Sequence, residues 1–135
     1  MKIRYGLKTL CVKGIVSFGK GEGTKFTKLE WVKTQTRERL GFIPEPGTLN
    51  LNINKDQIQN RALLDKAEAI EIQSPTGHGR GRLFRANLQD HEVAVIIPQV
   101  PNYPEDLVEI IAPINLRRRL KLEDGASLEL QILLR

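Results

Sequence analysis

Two stretches of this chain repeat apolar side chains at every second position, and that period confines the fold to one built on strands. In residues 48–54, Leu49, Leu51 and Ile53 face one way, while Thr48, Asn50, Asn52 and Asn54 face the other. Near the end, Ala126, Leu128, Leu130, Ile132 and Leu134 share one face. A period of two is that of a strand with one side buried. Further strands are predicted at 7–16, 67–73, 82–89, 92–98 and 107–112. Loop 74–81, a tight turn at Asp90-His91, a polar loop at 99–106 and a turn at Asp124-Gly125 punctuate them.

Helical signals are fewer. Thr27-Lys28-Leu29-Glu30 has the capping-box pattern, and Leu29, Val32, Thr36 and Leu40 follow at helical spacing. Gly41 is a natural residue after the last turn, and Pro44 and Pro46 forbid continuation. A short helix or helical turn is expected at 56–66, and a short basic helix at 113–120 with Pro113 in its first turn. Six or seven short strands with two or three helices in 135 residues predict a mainly β domain with short helices. The expected architecture is a small six- to seven-stranded β-barrel forming one domain over residues 1–135.

Charge limits the partners. Lys and Arg number 21 against 16 Asp and Glu, a net charge of +5. This favours anionic ligands, whether nucleotides, phosphorylated products or nucleic acid. The single cysteine, Cys11, excludes a disulfide scaffold and fits a reducing cytosol. Within Leu10-Cys11-Val12 it is expected to pack as a small hydrophobe. No apolar run approaches the roughly 20 residues of a membrane span, and no signal-peptide core follows Met1. The expectation is a soluble, cytoplasmic protein, with the residues ahead of Lys8 a short tail or the trace of a trimmed partner domain.

The chemistry concentrates in a few places. Gly19-Lys20-Gly21-Glu22-Gly23-Thr24-Lys25 can bring backbone N–H groups against an oxyanion, because glycine puts no Cβ in the way. The same loop also fits a flexible hairpin. None of the P-loop, Rossmann or protein-kinase motifs is present. Thr48 and Asn50, two apart on a strand, put a hydroxyl and an amide oxygen on one face. Such hard neutral ligands suit Mg²⁺ if phosphates supply the charge; otherwise they form a solvent-facing polar stripe. Glu109 interrupts the apolar run Leu107-Val108-Glu109-Ile110-Ile111. It either accepts a substrate hydroxyl, as an orienting group or general base, or faces outward on an edge strand. Arg117-Arg118-Arg119 with Lys121 is a solvated basic face or an anion contact. His78 and His91 have no second ligand at metal spacing, and no nucleophile–base pairing is evident.

Taken in order, Ser17-Phe18-Gly19-Lys20-Gly21-Glu22-Gly23, Pro46-Gly47-Thr48-Leu49-Asn50-Leu51, the segment Glu109-Ile110-Ile111-Ala112-Pro113-Ile114-Asn115-Leu116-Arg117, and Leu122-Glu123-Asp124-Gly125 resemble the archaeal CTP-dependent riboflavin kinase family. The resemblance implies a cradle-loop (RIFT-like) barrel that moves the γ-phosphate of CTP to the terminal ribityl hydroxyl of riboflavin, giving FMN and CDP. It implies nucleotide contacts from Lys20, Gly21, Glu22, Gly23, Thr24 and Lys25, and from Ile114, Asn115, Leu116 and Arg117. It further implies Mg²⁺ on Thr48 and Asn50, and Glu109 at the ribityl end. Where the family tends to carry a hydroxyl residue eight positions before the glutamate, this chain has Pro101. Asn102 and Tyr103 are the residues available to replace it.

Two other readings stand beside this one. A non-enzymatic barrel similar to the swapped-hairpin transcription-factor relatives would bind DNA as a dimer through Arg117 to Lys121, with steep salt dependence. A kinase of altered donor or acceptor would follow from Pro101. Under the first reading the partners are CTP, CDP, riboflavin and FMN; a monomer is expected, with neither membrane nor nucleic acid as partner.

Overall fold

A computed structural model describes residues 8–17 and 22–134. Seven strands, β1 (Lys8–Ser17), β2 (Leu49–Ile53), β3 (Ile70–Gln73), β4 (Arg80–Leu88), β5 (His91–Pro98), β6 (Leu107–Ile111) and β7 (Ser127–Leu134), form one sheet. Its order is β3-β4-β5-β6-β2-β1-β7, and β4 also pairs with β7. Six strands therefore close into an antiparallel barrel, and β3 extends it from the first half of β4. The mainly β barrel expected from the alternation is observed.

All six barrel strands send alternate residues into one apolar cluster, which is the barrel interior. Val12, Leu51, Leu130 and Ile132 are fully enclosed there. A second cluster lies on the outside, where α1 (Glu22–Phe26) and α2 (Glu30–Leu40) cover part of the wall. Phe26, Val32 and Leu40 meet Ala94, Ile96 and Ile111 in it. This is why β5 reads as an unbroken apolar run: Val93, Val95 and Ile97 point in, while Ala94 and Ile96 point out under the helices. Each such fully buried Leu or Ile stabilises the fold by about 1.5–3 kcal/mol over exposure.

Several local expectations are corrected. Thr27 does not cap α2; the N-cap is Leu29, with no side-chain cap. The Thr27 hydroxyl instead donates to the Thr24 carbonyl at 3.0 Å, and its N–H to the Gly23 carbonyl at 2.9 Å. Thr27 is thus spent on closing α1, a helix the glycine-rich sequence did not announce. Gly41 does end α2, at φ 84. The stretch 56–66 splits into a helical turn at Lys55–Gln57, α3 (Ile58–Ala62) and a second turn at Leu63–Asp65. The β4–β5 turn falls on Gln89 and Asp90, both left-handed at φ 47 and 66, as a two-residue type I′ hairpin requires.

The predicted basic helix is only α4 (Leu116–Arg119), started by Asn115, whose Oδ1 accepts the Arg118 N–H at 3.0 Å. Asparagine is a strong N-cap, so Pro113 and Ile114 stay outside. Cys11 is half-buried opposite Gln131 on the outer face of β1, not in the core with Leu10 and Val12. Burial, and then the neighbouring Glu129, push its thiol up. Among the described residues, no helix is long and apolar enough to cross a membrane.

Candidate functional site

β6 lies between β5 and β2, so Glu109 is not on an edge. Its register partners are Ile96 on β5 and Asn50 on β2. The three share the outer face of the wall, where α1 lies over Glu109 and Ile96. Glu109 is 0% exposed, which removes the outward-facing reading. A carboxylate held from water needs donors, and among the described residues three converge on it. The Gly23 N–H donates to Oε2 at 2.8 Å. The Tyr103 hydroxyl donates to the same oxygen at 2.6 Å. The Thr48 hydroxyl approaches Oε1 at 3.3 Å.

Thr48 stands at the entrance to β2, and its hydroxyl is crowded by oxygens. Asn50 Oδ1 lies 3.2 Å away, Thr24 Oγ1 3.2 Å and Glu109 Oε1 3.3 Å. The Thr48 proton can serve only one of Asn50 Oδ1 and Glu109 Oε1 at a time, while in the Thr24 contact either hydroxyl can be the donor. Asn50 is 6% exposed, so the Thr48–Asn50 pair is not a solvent-facing stripe. Among the described residues no three His, Cys, Asp or Glu cluster as metal ligands. The oxygens around Thr48 are mostly neutral, and they are short of protons. That donor set fits a hard cation such as Mg²⁺ whose remaining charge is met by phosphate.

A cleft of about 290 Å³ opens beside Thr48. Thr24 borders it from α1, and Glu45, Pro46 and Gly47 from the loop before β2. Ile114, Asn115, Leu116 and Arg117 close the far side. The Glu45 N–H donates to the Ala112 carbonyl at 2.7 Å, which ties the two walls together. Of the two segments expected to share a nucleotide, the first contributes Thr24 to this cleft and the second all of 114–117.

Other predicted residues fall as follows. Lys20 and Gly21 lie outside the described residues. Glu22 opens α1, and Lys25 is exposed near its end. The Gly23 amide, expected to face phosphate, is occupied by Glu109. Of the three residues considered for the ribityl end, Tyr103 touches Glu109, whereas Pro101 and Asn102 are exposed on the turn. Glu45, Pro46 and Ala112 belong to the cleft but were not singled out. Pro46 opens the motif that carries Thr48, and Ala112 lies in the segment that begins at Glu109, but neither had a role assigned; nothing in the pattern pointed to Glu45.

Comparison with known proteins follows the same lines. A family model named CTP-dep_RFKase, described as domain of unknown function DUF120, matches residues 16–132. The riboflavin kinase of Archaeoglobus fulgidus is 38% identical over 130 residues, which is 93% of this chain and 56% of that protein. The riboflavin kinase of Pyrobaculum aerophilum is 36% identical over 134 residues, 96% of this chain and 64% of that protein. The riboflavin kinase of Ignicoccus hospitalis is 35% identical over 129 residues, 93% of this chain and 72% of that protein. The chain spans less than two thirds of the length of the first two.

Proposed function

The chain belongs to the CTP-dependent riboflavin kinase family, and on that premise we propose that it transfers the γ-phosphate of CTP to the terminal ribityl hydroxyl of riboflavin, releasing FMN and CDP. The observation that carries this reading is the enclosed Glu109 carboxylate beside the Thr48–Asn50 oxygens, with Thr48 bordering the cleft lined by Ile114 to Arg117.

Phosphoryl transfer asks for positioning and charge neutralisation more than covalent chemistry. The cleft walls, Thr24 and Gly47 on one side and Ile114 to Arg117 on the other, hold the nucleoside triphosphate. Thr48 and Asn50, with the donor's phosphates, hold Mg²⁺, which neutralises charge on the phosphate oxygens when bound. Glu109 accepts the hydrogen bond of the attacking ribityl hydroxyl and takes its proton as the new oxygen–phosphorus bond forms. The bond between the γ-phosphorus and its bridging oxygen breaks, and that electron pair leaves with CDP. The protein acts as a cytoplasmic monomer with no nucleic-acid partner. A DNA-binding barrel would leave the enclosed Glu109 and the Thr48–Asn50 oxygens without a task.

The test is to incubate the protein with riboflavin, Mg²⁺ and each of the four common ribonucleoside triphosphates in turn, and to follow FMN. FMN with CTP alone is the expected result. FMN with another donor instead would redirect the specificity. No FMN with any donor, together with salt-sensitive duplex binding, would replace the kinase reading by the DNA-binding one.

A further inference from the structure

The two oxygens of Glu109 are not equivalent. Oε2 accepts two short hydrogen bonds, from the Gly23 N–H at 2.8 Å and the Tyr103 hydroxyl at 2.6 Å. Among the described residues, Oε1 has only the long 3.3 Å approach of Thr48, whose single proton is shared with Asn50 Oδ1. Hydrogen bonds to an ionised carboxylate are roughly twice as strong as neutral ones. Turning the carboxylate would forfeit both bonds to Oε2 at once. From this asymmetry we infer that Tyr103 is a positioning residue: its hydroxyl, with the Gly23 amide, saturates Oε2 and reserves Oε1 as the oxygen that meets the attacking hydroxyl. The inference rests on the kinase reading above and assigns to it one atom and one further residue.

Tyr103 is built to hold that position. Its half-buried ring packs against the barrel core. The loop that carries it is pinned at both ends, by the Gln99 N–H on the Arg80 carbonyl at 2.9 Å and by the Ile53 N–H on the Asp106 carbonyl at 2.6 Å. Asn102, at φ 61, makes the left-handed turn that sends the chain back toward β6, a conformation asparagine tolerates better than most residues. Oε1, by contrast, points toward Thr48, which borders the open cleft. A hydroxyl delivered beside the triphosphate therefore meets the one carboxylate oxygen with acceptor capacity to spare.

The experiment compares wild type with Tyr103→Phe, which deletes the hydroxyl and keeps the ring. Steady-state FMN formation with CTP gives kcat and KM for both substrates, and calorimetric titration with CTP and Mg²⁺ gives affinity and stoichiometry on the same samples. The expected result is a kcat lower by about tenfold, with CTP affinity within about twofold and stoichiometry unchanged. A merely structural role would lower the stoichiometry in step with the rate. Either that parallel loss, or a kcat within about twofold of wild type, overturns the inference while leaving the kinase reading intact. A wild-type protein that makes no FMN overturns the kinase reading and this inference with it.

Discussion

Gly23 and Glu109, 86 positions apart, are joined by a hydrogen bond of 2.8 Å from the glycine N–H to carboxylate Oε2. A Cβ at Gly23 would have all three of its nearest neighbours on that carboxylate, including Cδ at 2.5 Å and Oε1 at 2.7 Å. The glycine lets α1 lie directly on the acid, and this contact shuts Glu109 from water.

Replacing Gly23 by alanine therefore cannot be absorbed by a small shift. The carboxylate is held by Tyr103 and Thr48 as well. Overpacking of this kind destabilises by about 1–3 kcal/mol, and the displaced carboxylate should lose at least about a hundredfold in rate. Thermal unfolding and steady-state FMN formation measure the two effects. Wild-type rate in Gly23→Ala would show that the α1–Glu109 contact is dispensable.

Glu109→Gln keeps the shape and removes the charge. Turnover should fall by roughly 10²–10⁴, the usual worth of general acid–base help. CTP affinity should change by less than about threefold, because Glu109 does not line the cleft and truly uniform binding losses appear in KM instead. Wild-type turnover in this variant would remove Glu109 from the mechanism.

Asn50→Ala and Thr48→Val each delete one neutral oxygen from the cluster around Thr48. The Mg²⁺ concentration for half-maximal FMN formation should rise roughly tenfold in each, equivalent to about 1.4 kcal/mol. Thr48→Ser, which retains the hydroxyl, should stay close to wild type. A Mg²⁺ dependence identical in all four proteins would place the cation elsewhere.

Arg61 offers a control on the scaffold. It is 3% exposed, and its Nε donates to the Leu107 carbonyl at 2.9 Å where β6 begins. Its contact with Asp65, 3.5 Å, is to a largely exposed partner and adds little. Arg61→Leu should lower stability by about 1–3 kcal/mol, the consequence of removing the guanidinium from a part-buried carbonyl. Denaturant unfolding reads the change directly; an unaltered midpoint would show that water replaces the guanidinium.

The barrel was legible in the sequence wherever one face of a strand is buried. Leu49, Leu51 and Ile53 gave β2 its period, and the unbroken run of β5 reflects burial on both faces. Glu109 was ambiguous for a physical reason. Its side of the barrel wall is covered only because residues 22–26 form a helix over it, and Gly23 disfavours helix on intrinsic grounds. That helix is held by tertiary contacts, Phe26 in the outer apolar cluster and Gly23 on the carboxylate. Local pattern does not encode them. The capping box at Thr27 misled because its hydroxyl had a nearer carbonyl to serve. Thr48 and Asn50 were readable from their spacing, but the oxygens that crowd them come from α1 and β6. The bond from Tyr103 to Glu109 spans only six residues, yet it depends on the turn at Asn102.

On this mechanism Glu109 stands between the donor cleft and the acceptor hydroxyl. The most direct test is a crystal structure of the protein with CDP, Mg²⁺ and FMN. The expected result places the cytidine against Ile114 to Arg117 and the ribityl 5′-oxygen within hydrogen-bond distance of Glu109 Oε1, with Oε2 still held by Gly23 and Tyr103. A flavin whose ribityl end lies away from Glu109, with the nucleotide outside the cleft beside Thr48, would contradict it.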